Sequence, residues 1–178
     1  MALGHQLLVA ISVAGQVCVG LVFLMAAVQK ASHWRILPGV IANYRLLPHW
    51  AVAPAASLLP PLETILAVLL LSAWFKPWPA LAALVLLALF AIAIAINLKR
   101  GRTHIDCGCG QSFLKQTLRW TLVWRNAGLA ALLLPSLLLS GPGTMSVALT
   151  GVAAGLGFFL LYLALNILAA LPGMRRFA

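Results

Sequence analysis

Apolar runs close to twenty residues long alternate along this chain with short polar stretches. Residues 7–28 form the first run, broken only by Ser12, Gly15, Gln16 and Gly20, and others cover 51–72, 80–96, 122–139 and 145–171. A helix rising 1.5 Å per residue needs about 20 apolar residues to cross a hydrocarbon core about 30 Å thick. The pattern predicts five transmembrane helices, built on a four-helix-bundle core.

The stretch 32–50 breaks the pattern, because His33, Arg35, Asn43, Arg45 and His49 recur too often for a span. Pro38 suits the first turn of a short helix, where its missing N–H is not needed. Val40, Ile41, Tyr44 and Leu47 then share a face. This predicts an interfacial helix with Trp34, Tyr44 and Trp50 at headgroup level.

Within the second run, Pro54, Pro60 and Pro61 predict a kink or a restart near the double proline. Glu63 follows directly, and an ionisable group inside a span marks either function or a packing residue that fixes helix register. Gly151-x-x-x-Gly155 in the fifth run offers a surface for close helix approach.

Composition strengthens the membrane reading. Hydrophobic residues make up 63% of the 178, charged residues only 8%, and mean hydropathy is +1.06, all far from soluble-domain values. The length suits a single polytopic membrane domain over residues 1–178. A net charge of +10 invites a nucleic-acid reading, but the basic residues lie between apolar runs and no soluble basic domain exists to bind nucleic acid. They fit the excess of Lys and Arg in cytoplasmic loops instead. Eleven of the twelve fall on one side of the predicted bundle and only Lys76 on the other. This predicts a periplasmic N-terminus and a cytoplasmic C-terminus. No Lys or Arg precedes Lys30, so the first run lacks the basic start of a cleavable signal and is expected to stay as an anchor.

The densest polar run, 97–109, holds His104, Asp106, Cys107 and Cys109. With Gly108 between them, the cysteines lie within disulfide range once the chain turns there. So small a ring is strained, and strained exposed disulfides exchange readily. Arg100, Arg102 and His104 favour the thiolate, while Asp106 opposes it. A redox pair at Cys107 and Cys109 is the preferred reading, with supporting roles for His104, Asp106 and Glu63. Two others stay open: a metal site using His104, Asp106 and the two thiols, hard to close from six consecutive residues, and an inert turn between spans. Cys18, the remaining cysteine, lies inside the first run and reads as a small hydrophobe. The chain cannot hold two dithiols, so a redox pair must exchange with a separate partner, or with a quinone or similar acceptor between the spans.

Tyr44-Arg45-Leu46-Leu47-Pro48, Pro60-x-x-Glu63 and Asn97-Leu98-x-Arg100-Gly101-Arg102-x-x-Ile105-Asp106-Cys107-Gly108-Cys109 together resemble the MauE family of methylamine utilisation proteins, within the wider DoxX-like membrane proteins. The resemblance runs through essentially the whole chain in span order. It implies a bacterial inner-membrane protein needed for processing or maturation of the small (β) subunit of methylamine dehydrogenase, a disulfide-rich periplasmic subunit with a tryptophan-derived quinone. It also implies a thioredoxin-like partner of the MauD type. Of the site residues, it gives Cys107 and Cys109 a suspected redox role.

Two expectations conflict here. A factor for periplasmic disulfides should present its thiols outside, whereas the charge distribution places them inside. Either the pair relays reducing equivalents from the cytoplasm, or the loop dips into the bundle towards Cys18 and Glu63. Rival functions are a non-enzymatic assembly or translocation partner that docks through the loop, a quinone-linked thiol oxidoreductase of the VKOR or DsbB kind, and a small-molecule transporter. The last would line several spans with polar groups, and only Glu63, Gln16 and Asn166 stand out.

Overall fold

The computed structural model describes residues 2–72, 77–102, 118–138 and 145–170. These residues form six helices and no strand: α1 (Ala2–Ser32), α2 (Leu37–Asn43), α3 (His49–Ser72), α4 (Pro77–Lys99), α5 (Trp120–Leu138) and α6 (Met145–Ala170). All but α2 are long and apolar enough to cross a membrane. The chain is thus an all-α integral membrane protein with five transmembrane helices and a short interfacial one.

Close contacts fix the helix directions. Gly20 of α1 lies against Ala67 and Leu71 of α3, and Lys30 meets Glu63, so rising numbers on α1 match falling numbers on α3. Ser12 meets Ser136 and Gly15 meets Leu132, which makes α5 antiparallel to α1 as well. Gly151 faces Ala10 and Val13 while Gly155 faces Ala14 and Val17, so α6 runs parallel to α1. Ile94 near the end of α4 packs with Leu118 and Leu122 at the start of α5. The five long helices therefore alternate in direction, as successive crossings require. The C-terminal ends of α1 and α4, the N-terminal ends of α3 and α5, and α2 share one face of the bundle.

Helices α1, α3, α4 and α5 form the four-helix core. Cys18, Val19, Val22 and Phe23 of α1 interlock with Leu66, Ala67 and Leu70 of α3, with Ala80, Ala83, Leu86 and Leu87 of α4, and with Leu129 and Leu133 of α5. Helix α6 lies outside this ring along α1, with Val9, Val13 and Val17 against Val147 and Val152. Because three long helices surround it, α1 has 67% of its apolar stretch buried, against 17–28% for the others.

Small residues, rather than an apolar stripe, make these contacts. Lipid tails are as apolar as leucine, so membrane helices gain most from close packing and interhelical hydrogen bonds. A Cβ at Gly151 would lie 2.7 Å from Val13 Cβ, and one at Gly155 would lie 2.7 Å from Val17 Cβ. A Cβ at Gly15 would overlap the carbonyl oxygen of Leu132. Beside that approach the Ser12 hydroxyl donates to Ser136 Oγ at 3.0 Å, and Ser136 Oγ donates to the Ser12 carbonyl at 3.4 Å.

Of the kink or restart expected at the double proline, the restart does not occur, since α3 runs unbroken through Pro54, Pro60 and Pro61. The apolar face expected of the interfacial helix needs correction. The interfacial helix ends at Asn43, where Arg45 takes a left-handed φ of 47°. Leu47 consequently lies beyond α2 and is exposed, not on its apolar face. Pro38 does occupy the first turn.

Candidate functional site

The structure builds a polar centre around Glu63. Side chains on a helix lean towards that helix's own N-terminus. Lys30, two residues before the end of α1, therefore leans back into the bundle. Glu63 leans the opposite way in space, because α3 is antiparallel, and the two converge. Lys30 Nζ donates to both carboxylate oxygens of Glu63, at 2.7 and 2.8 Å. Both residues are buried, at 5% and 0% side-chain exposure. The same ammonium lies 5.6 Å from the centre of the Phe90 ring on α4, within range of a cation–π attraction. One cation thus ties together three helices of the core.

This corrects the placement of Lys30. Read from sequence, it ends the first span and counts among the basic residues of the polar loops. In the structure α1 continues to Ser32 and the Lys30 charge is neutralised inside the bundle. The signal for this lay in Glu63 itself. Ionisable residues inside spans pair with one another, and the chain has only two acids against twelve Lys and Arg.

The end of α4 fixes how the chain enters the cysteine segment. Gly101 has φ +72°, its N–H donates to the Leu98 carbonyl at 3.0 Å, and the Arg102 N–H donates to the Asn97 carbonyl at 3.0 Å. This is a Schellman stop, with glycine at the left-handed position that a Cβ disfavours. Asn97 is fully buried, and its side chain donates to the Ala93 carbonyl at 3.0 Å. After the segment, Leu118 is buried against Ile94 and Leu122. Arg102 and Leu118, the described residues on either side of 103–117, thus sit against the last turns of α4 and the start of α5.

His104, Asp106, Cys107 and Cys109 lie in that segment, outside the described residues. Of the sequence-derived candidates only Glu63 is described. Cys18 is a buried free thiol in the four-helix core. Among the described residues, no three His, Cys, Asp or Glu side chains gather as a metal ion would require. Asn166 joins α5 to α6: it accepts from Arg125 at 3.3 Å and donates to the Tyr162 carbonyl.

Five alternating apolar helices define a multi-pass membrane protein, with Ser12–Ser136, Lys30–Glu63 and Arg125–Asn166 as polar links between them. The family described as methylamine utilisation protein MauE matches residues 8–140. The chain is 40% identical to the methylamine utilization protein MauE of Paracoccus denitrificans over 159 residues, 88% of this chain and 86% of that protein. It is 43% identical to that of Methylorubrum extorquens over 148 residues, covering 80% and 78%, and 38% identical to that of Methylophilus methylotrophus over 162 residues, covering 88% and 85%. No solved structure matches it. The chain belongs to the MauE family of methylamine utilisation proteins.

Proposed function

We propose that this chain is an inner-membrane factor that matures the small (β) subunit of methylamine dehydrogenase by thiol–disulfide exchange at Cys107 and Cys109, with a thioredoxin-like protein as its partner. Membership of the MauE family is the observation that carries this reading. The spacing of the two cysteines around Gly108 and the basic residues before them support it.

In the exchange, one subunit thiolate attacks the Cys107–Cys109 disulfide and forms a mixed disulfide. The second subunit thiolate then attacks its own partner sulfur, releasing Cys107 and Cys109 as a dithiol. The subunit loses two electrons and two protons as its disulfide forms, and the pair gains them. The same steps in reverse order, with a disulfide of the thioredoxin-like partner as acceptor, restore the pair. His104 stabilises the thiolate, Asp106 moderates that effect, and Glu63 acts at a distance by holding Lys30 and the core.

The basic residues favour a cytoplasmic position for the end of the bundle that carries α2 and the cysteine segment. With Lys30 paired to Glu63, the remaining excess is still ten to one.

Replacing both cysteines by serine is expected to abolish active dehydrogenase while the protein remains in the membrane. Normal disulfides in the small subunit of such a strain would reject the mechanism. If this chain only docks its partners, the Cys107→Ser/Cys109→Ser variant should retain activity, and Arg100→Glu/Arg102→Glu should lose it.

A further inference from the structure

The described acidic residue, Glu63, is fully buried and held by Lys30, and the whole chain has only one other acid, Asp106. Arg35 and Arg45 are exposed, on either side of α2, and neither has a carboxylate partner among the described residues. Arg35 lies over the ring of its neighbour Trp34, 5.6 Å from the ring centre. Arg45 adopts a left-handed backbone with φ 47° at the end of α2, its N–H donating to the Ala42 carbonyl at 3.0 Å. Glycine fits that conformation without strain, whereas an arginine there strains the backbone. Strain of this kind marks sites where the side chain itself is wanted.

The surroundings of these two arginines indicate what supplies the missing negative charge. Leu46, Leu47, Trp34 and Trp50 are all exposed beside them, Trp50 to 80%. Tryptophan concentrates at the headgroup level of a bilayer, and apolar side chains flanking a cation suit the boundary between headgroups and acyl chains. An acidic soluble protein would have to bring apolar surface of its own to cover those four side chains, whereas a bilayer already surrounds a chain with five helices long and apolar enough to cross it. Guanidinium groups bind phosphate oxygens through paired N–H donors.

We propose that the turn around α2, from Trp34 to Trp50, binds anionic phospholipid, with Arg35 and Arg45 each offering a guanidinium to headgroup phosphate and Leu46, Leu47 and Trp50 seated at the acyl boundary. This assignment is independent of the dithiol reading and of which way the bundle faces.

The full-length protein, reconstituted in nanodiscs of phosphatidylcholine with or without phosphatidylglycerol, tests it by native mass spectrometry of the lipids retained on extraction. The wild type should retain phosphatidylglycerol in preference to phosphatidylcholine. Arg35→Gln and Arg45→Gln should each weaken that retention about five-fold, the effect of one basic residue at an anionic surface. Arg45→Gly separates backbone from charge: it relieves the strain, so thermal stability should hold or rise while lipid retention falls. Lys99→Gln/Arg100→Gln, at the end of α4, should keep retention near the wild-type level. Equal retention of the two lipids would overturn the site, and so would equal losses in all variants, which mean diffuse charge attraction. Inorganic phosphate displacing the lipid at comparable concentration would overturn it in favour of a free-anion site.

Discussion

Lys30 Nζ sits 2.7 Å from Glu63 Oε1, with both side chains buried among α1, α3 and α4. Removing one partner leaves the other charge without compensation in a medium of low dielectric, which costs about 3–5 kcal/mol. Glu63→Gln and Lys30→Met should therefore each lower the yield and melting temperature of the detergent-solubilised protein sharply. The double variant Lys30→Met/Glu63→Leu replaces the pair by packed apolar groups and should recover most of the loss. The same strain separates structure from chemistry, because a purely structural pair predicts recovery of dehydrogenase activity along with the fold. A double variant that folds but leaves methylamine dehydrogenase inactive would show that the charges themselves are needed.

The glycines of α6 give a second prediction with an internal control. Gly155 faces Val17 and the Ala14 carbonyl, whereas an added Cβ at Gly157 meets nothing within 4 Å. Gly155→Val should push α6 off α1 and destabilise the protein by about 1–3 kcal/mol, the usual range for overpacking. Gly157→Ala should be neutral or slightly stabilising, since alanine is the better helix former. Thermal unfolding of the two variants in one detergent checks the contrast, and equal effects would mean that the α1–α6 contact is not close.

These cases show which parts of the fold were legible in the sequence and which were not. The five long helices could be read because the bilayer demands a run of apolar residues and a polar break between runs. Pro38 marked the interfacial helix, and Gly151-x-x-x-Gly155 marked a close-packed face. The centrality of α1 could not be read. Helices that are apolar all round carry no stripe to tell a lipid-facing side from a protein-facing one, and the ring of α1, α3, α4 and α5 depends on shape complementarity at positions such as Gly15 and Leu132. Lys30 was misplaced for a related reason. A basic residue near the edge of an apolar run looks like a loop anchor unless its buried partner is known. Of the candidate site the structure describes Glu63, while His104, Asp106, Cys107 and Cys109 lie outside the described residues.

Gly101 supplies a third test, at the point where α4 hands over to the cysteine segment. Its φ of +72° suits glycine and, less well, asparagine. Gly101→Val should cost about 1–2 kcal/mol, and Gly101→Asn clearly less. Among the described residues no atom lies within 4 Å of an added Cβ there, so the expected loss is that of the backbone conformation. Equal stability of the valine variant and the wild type would mean that the Schellman stop does not form. If the stop also sets the direction of the cysteine segment, the valine variant should change the rate of thiol labelling at Cys107 and Cys109 more than the small loss of stability explains.

The face of the membrane that the dithiol meets is open to a direct measurement. Cys18 is 1% exposed in the four-helix core, so in the folded protein it should resist a hydrophilic maleimide from either side and leave Cys107 and Cys109 as the reactive thiols. In spheroplasts, an impermeant maleimide should label nothing from outside if the basic end of the bundle faces the cytoplasm. Labelling should appear once the membrane is opened, and it should rise after mild reduction if the pair rests as a disulfide. Labelling of intact spheroplasts, lost in Cys107→Ser/Cys109→Ser, would reverse the orientation and place the exchange on the exported subunit. Labelling in opened membranes that reduction leaves unchanged would mean that the pair rests as free thiols. The chain would then act as a donor of electrons to wrongly paired disulfides, with the partner supplying the two electrons and two protons that each cycle consumes.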